Sequence, residues 1–142
     1  INLVKRERAN QSHYAIEKAL AAAITKAGHN PKFNESIDMY FDTVAGSVLI
    51  EVKSCTENNI HAQIRKAVSQ VFEYRFLYAK ELVEPVQLVI AIETAPGPMK
   101  RWLLEYLEKI NIAIAWLNEK TGQFEMSRTV PAVLHHIFQS KP

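Results

Sequence analysis

At 142 residues, with 17 Lys or Arg against 15 Asp or Glu, the chain is long enough for one real core and close to neutral. Its composition, 48% hydrophobic and 23% charged, is that of a globular domain, and no stretch approaches the roughly 20 apolar residues that span a bilayer. The single cysteine, Cys55, excludes an internal disulfide framework and a cysteine-rich zinc site; Lys5-Arg6-Glu7-Arg8 precedes no apolar signal core, so the expected setting is cytoplasmic. A net charge of +2 permits nucleic-acid binding without arguing for it.

Taken in chain order, Ile16, Ala19, Leu20, Ala23, Ile24 and Ala27 recur at helical spacing, which predicts a helix over about Ala9 to Ala27, stopped by Gly28 and Asn30-Pro31. A short strand is expected near Lys32 to Asn34. Two alternating runs, Ile37 to Asp42 and Ser47 to Lys53, read as strands joined by Thr43 to Gly46. A second helix is expected from Ile60 to Lys80, with Ile64, Val68, Val71, Phe72 and Phe76 as its apolar stripe. Val86 to Ile92 reads as a buried strand ended by Pro96-Gly97-Pro98. Beyond it come a helix over Met99 to Lys109, a strand over Ile110 to Leu117, a Thr121-Gly122 turn into a short strand around Phe124, and a last helix over Ala132 to Phe138. Trp102 and Trp116 are expected in the core, and His135-His136 in packing or surface roles. This order indicates a mixed α/β layer fold, one domain over residues 1–142, either whole or excised from a longer protein.

The two early strands can be paired on paper. A four-residue connection at Thr43 to Gly46 sets Asp42 against Ser47, Tyr40 against Leu49 and Asp38 against Glu51. Ile37, Met39 and Phe41 then share an apolar face with Val48, Ile50 and Val52, the condition that fixes a register. On the other face two carboxylates stand directly opposed, with β-carbons about 4.5–5.5 Å apart, and Lys53 follows Glu51 on the same side. Such a pair is tolerable if one is protonated or a cation lies between them. The same spacing also fits charges on a solvated sheet face, with Lys53 simply neutralising Glu51. Asp42, at the turn end, is roughly 13 Å from Asp38 along the strand, too far to share a metal with Glu51.

With Ile37-Asp38 followed by Leu49-Ile50-Glu51-Val52-Lys53, the chain resembles the PD-(D/E)xK, or restriction-endonuclease-like, nucleases. Ser36-Ile37-Asp38 stands where the Pro-Asp of the family name would be. The resemblance spans about Tyr14 to Ile92 and adds Gln70 and Tyr74, which match the Q-x-x-x-Y element of recombination-exonuclease-like and defence nucleases. It implies an αβββαβ core, a mixed central sheet flanked by helices, with C-terminal additions.

The resemblance further implies Mg²⁺, with Mn²⁺ able to substitute, held by Asp38, Glu51 and the Val52 carbonyl, with Glu17 as a further candidate ligand. Hard oxygen donors suit these ions rather than zinc. Lys53 would orient the attacking water, and Gln70 would join the catalytic group. Phosphate contacts would come from Lys66, Arg65, Tyr74 and Arg75. The implied partner is DNA, in a restriction, repair or antiphage setting, as a homodimer or fused to a recognition or motor domain. A ribonuclease, or a non-catalytic nucleic-acid-binding or assembly module on the same fold, stays open.

Overall fold

The structure, a computed structural model, describes residues 3–93, 95–127 and 130–140, with side chains from Asn10 to Gln139 among them. Its elements are helix α1 (Leu3–Lys26), strands β1 (Met39–Thr43) and β2 (Gly46–Lys53), helix α2 (Ile60–Leu77), strand β3 (Gln87–Ile92), helix α3 (Arg101–Lys109), and strands β4 (Ile112–Asn118), β5 (Gln123–Met126) and β6 (Phe138–Ser140). The strands form one six-stranded mixed sheet in sequential order. β1 and β2 are antiparallel, β2, β3 and β4 are mutually parallel, β5 turns antiparallel to β4, and β6 lies parallel to β5. No helix among the described residues is long and apolar enough to cross a membrane.

Each face of this sheet carries its own core. On one, Ile16, Leu20 and Ile24 of α1 pack on Val48, Ile50, Val52, Val89, Ala91 and Ala113. The four-residue spacing of those α1 residues makes a narrow stripe, and the small side chains beneath let the helix sit close. On the other face, Ile60, Ile64, Ala67 and Val71 of α2 and Leu103 and Leu107 of α3 cover Leu49, Leu88, Ile90 and Ile114. A strand hydrogen-bonded on both sides and covered on both faces must be apolar throughout. β2 is such a strand, and it buries Glu51 among its apolar residues.

The β1–β2 register, Tyr40 with Leu49 and Asp42 with Ser47, is the one the alternation predicts. Its loop is tighter than expected, because Thr43 already pairs with Gly46 and only Val44-Ala45 protrude. The Thr43 hydroxyl ties this turn, receiving the Ala45 N–H at 3.0 Å and donating to the Gly46 carbonyl at 2.7 Å.

Several expectations fail for identifiable reasons. The strand near Lys32 to Asn34 shrinks to one bridge, Lys32 with Tyr40, since Asn34 accepts the N–H groups of Ser36 and Ile37 and turns the chain. That turn also moves Ile37 to the α2 side of the sheet, away from Met39 and Phe41. α2 ends at Leu77, followed by a 3-10 turn at Ala79–Glu81, and Phe76 is 81% exposed because helix periodicity turns it about 140° from Val71, away from the buried stripe of Ile60, Ile64, Ala67 and Val71. Trp102 is half-exposed on α3, whereas Trp116 is buried with its indole N–H on Glu125 Oε2 at 3.0 Å. The expected last helix is a 3-10 turn, Ala132–Leu134, followed by edge strand β6, where Phe138 is buried against Phe124.

Candidate active site

Asp38 stands at the point where the chain enters β1. In the alternating ladder Val52 N–H should bond to the Ile37 carbonyl, but the Asn34 turn has drawn Ile37 away, with its own N–H donated to Asn34 Oδ1 at 2.7 Å. Asp38 Oδ2 takes the vacated place and accepts the Val52 N–H at 2.8 Å. The carboxylate is thereby fixed to the backbone of β2 beside Glu51. The Val52 carbonyl lies just past the end of a ladder that closes at Met39 and Ile50.

Glu51 points to the α2 face and is only 4% exposed. Burial pushes its carboxyl up to about 8; the charge of Asp38 pushes the same way, and Lys53 opposes both. Lys53 Nζ lies 3.6 Å from Glu51 Oε1, beyond hydrogen-bond length, and is itself mostly buried. Among the described residues, Glu51 Oε2 and Gln70 Oε1 are buried side-chain oxygens with no hydrogen-bond partner. A buried acceptor left so costs about 1–3 kcal/mol, more if charged. This face is no solvated sheet surface, and Lys53 only partly neutralises the pair.

From α2, Gln70 reaches Tyr74, its amide donating to the phenol oxygen at 3.4 Å. Burial and then the Glu51 charge push the Tyr74 phenol up, which puts that ring within the electrostatic reach of the carboxylates. The remaining α2 candidates divide. Lys66 is exposed one turn before Gln70. Arg65 and Arg75 are turned about 140° from Gln70 by helix periodicity, and Arg75 lies over the Phe72 ring at 5.3 Å. They do not join the carboxylate group.

From α1 comes a residue whose role no local pattern shows. His13 Nδ1 pairs with Glu17 Oε1, and His13 Nε2 lies 3.5 Å from Asp38 Oδ2. The Asp38 hydrogen bond raises the imidazole's pKa against the opposing effect of burial, while burial is the main cause that raises Glu17. Their i,i+4 spacing is visible in sequence; the contact of His13 with Asp38, 25 residues on, is not. His13, Glu17 and Asp38 each offer a ligand atom within 4.8 Å of one another, the group among the described residues that could hold a metal ion.

The site gathers the donors a metal ion would need: two carboxylates meeting at the end of β2, one of them with an orphaned buried oxygen, and Glu17 and the His13 imidazole beside Asp38. Asp42 is engaged at the far end of the hairpin, with Lys32 at 3.0 Å and Ser47 at 2.6 Å. The Cys55 thiol is pushed up to about 11, chiefly by burial, which keeps it a neutral thiol rather than a nucleophile. His135 bonds to the Val130 carbonyl at 2.9 Å. A cavity of about 600 Å³ lies elsewhere, between α1 and the β5–β6 side, with four alanines, Lys26 and His136 in its lining. Compared with known proteins, the chain matches no family model, no curated protein and no solved structure.

Proposed function

We propose that this chain is a metal-dependent nuclease of the PD-(D/E)xK kind that hydrolyses phosphodiester bonds of DNA. The observation that carries the proposal is Glu51: a carboxylate buried in a central strand, one oxygen without a partner, beside Asp38 and Lys53. A purely structural carboxylate has little reason to sit there, because burial penalises its charge more than Lys53 offsets and one of its oxygens finds no partner. The order α1, Lys32 bridge, β1, β2, α2, β3 also supports the reading, the bridge standing where the αβββαβ core has its first strand.

Asp38, Glu51 and the Val52 carbonyl would hold the ion, with Glu17 and His13 as neighbours; when bound it supplies a Lewis acid for the phosphate and an acidified water. Asp38 is held in place for this by the Val52 N–H on one side and His13 on the other. Lys53 orients the attacking water and offsets charge developing on the phosphate. Gln70 and Tyr74 present an amide and a phenol to the phosphate from α2, and exposed Lys66 adds a cation.

The test is parallel digestion of single- and double-stranded DNA and RNA with Mg²⁺, Mn²⁺ or EDTA. Wild type is expected to cut DNA only with metal, and Glu51→Ala or Lys53→Ala to lose about 100-fold or more. An inert wild type, or a Glu51→Ala variant as active as wild type, overturns the proposal. Cutting of RNA alone would make it a ribonuclease, and salt-dependent binding without cleavage a non-catalytic module.

A further inference from the structure

α2 and α3 follow neighbouring parallel strands and both run back over the sheet from the strands' C-terminal ends. Their starts are tied together, Lys100 N–H donating to His61 Nε2 at 3.2 Å. One flank of α3 is accounted for: Arg101, Leu104, Glu105 and Glu108 line a cleft of about 370 Å³ with Trp116 and Ser127, and Arg101 pairs with Glu105 at 3.1 Å. Helical periodicity turns the other flank, Trp102, Tyr106 and Lys109, toward α2. With a rise of about 1.5 Å per residue, Trp102 stands between the heights of His61 and Arg65. Tyr106 and Lys109 stand between those of Arg65 and Phe72.

Helix phase thus sets rings and cations along the cleft between the two helices. Trp102 and Tyr106 are 50% and 47% exposed, and Arg65 and Lys109 are exposed beside them. The carboxylates of α3 lie on the opposite flank. An apolar protein surface seated here would cover Arg65 and Lys109 without acidic partners, which is costly. Stacked bases offer rings to the rings and phosphates to the cations. The tied end of the cleft lies at the same end of the sheet as the candidate active site, with the first turn of α2 between them: Gln63 Nε2, on the flank of α2 opposite His61, donates to the carbonyl of Ser54, the residue after Lys53, at 3.1 Å.

We infer that this cleft binds unpaired bases of single-stranded nucleic acid, with Trp102 and Tyr106 as stacking faces and Arg65 and Lys109 on the phosphates. The inference rests on the nuclease proposal and deepens it, naming single strands as the substrate class. Trp116 is buried, so quenching of tryptophan fluorescence reports on Trp102.

The experiment is titration of the metal-free protein in EDTA with a labelled oligothymidylate and with a duplex, followed by fluorescence and anisotropy. Wild type is expected to be quenched and to bind the single strand more tightly. Trp102→Ala and Tyr106→Ala should each weaken that binding about tenfold, Lys109→Glu should weaken it too, and Trp102→Phe should keep most of it. Unchanged oligothymidylate binding in the ring variants overturns the inference. So does self-association abolished by Trp102→Ala in a protein that binds no oligonucleotide. Glu51-dependent cutting of duplex that is untouched by Trp102→Ala overturns the cleft and leaves the nuclease. Trp102-dependent oligothymidylate binding, with no cleavage under any metal, supports the cleft and overturns the nuclease.

Discussion

At the scale of single residues, the acid–base behaviour of the molecule centres on Glu51 and its neighbours. In the folded chain Glu51 holds its proton up to about pH 8, whereas the unfolded chain releases it near the ordinary value of 4.5. Between these values the unfolded state binds fewer protons, so rising pH favours unfolding. The metal-free protein should therefore lose stability progressively from about pH 4.5 to about pH 8, by a few kcal/mol at about 1.4 kcal/mol per unit. Urea unfolding across that range checks this, and Glu51→Gln should flatten the profile. Asp38→Asn has a different signature. An amide oxygen still accepts the Val52 N–H, so the fold is expected to persist within about 1 kcal/mol while cleavage is lost. An Asp38→Asn protein that cuts normally would remove Asp38 from the proposed site. His13 enters at this scale as the residue that braces Asp38 from α1.

At the scale of elements, the hairpin positions the site and Gly46 positions the hairpin. Gly46 has φ of 117°, and a Cβ there would stand 2.1 Å from the Pro85 carbonyl oxygen, a backbone atom. Gly46→Ala is expected to cost about 2–4 kcal/mol in chemical denaturation, and to lower activity by shifting the hairpin against the segment that leads into β3. On α1, Leu20 is wholly buried in the stripe that holds this helix, and hence His13, against the sheet. Leu20→Ala should cost about 2–5 kcal/mol. Phe76→Ser makes the contrast, since a ring that lies mostly in solvent should change stability by no more than about 0.5 kcal/mol. A large loss there would mean that α2 is packed differently from the structure described.

For the whole molecule, metal binding and folding are linked through the proton on Glu51. Ligation needs the carboxylate, so Mg²⁺ or Mn²⁺ must displace that proton, and the thermal midpoint should rise on adding metal by more at pH 8.5 than at pH 6. Equal shifts at the two pH values would argue against Glu51 as a ligand. The ordering of the sheet gives this linkage its setting. The interior strands β2 and β3 are covered by α1 on one face and α2 and α3 on the other, so Glu51 is withdrawn from solvent while Asp38, at the entry to β1, keeps partial access to it.

Much of this was legible along the chain because it depends on periodicity. Alternation over Met39–Asp42 and Ser47–Lys53 sets the hairpin register, and with it the approach of Asp38 to Glu51, since a one-residue slip would turn every apolar side chain to the wrong face. The spacing of Ile16, Leu20 and Ile24 sets the buried face of α1 in the same way. Other features depend on contacts between distant segments, which local pattern does not carry. Phe138 lies in a strand because Phe124 and the sheet edge receive it. The link from His13 to Asp38 exists only where α1 crosses the end of β2. The sequence by itself determined which carboxylates and which lysine share a face. Only the tertiary structure decided that the face is buried under α2, and burial is what raises the proton affinity of Glu51 and leaves its oxygen without a partner.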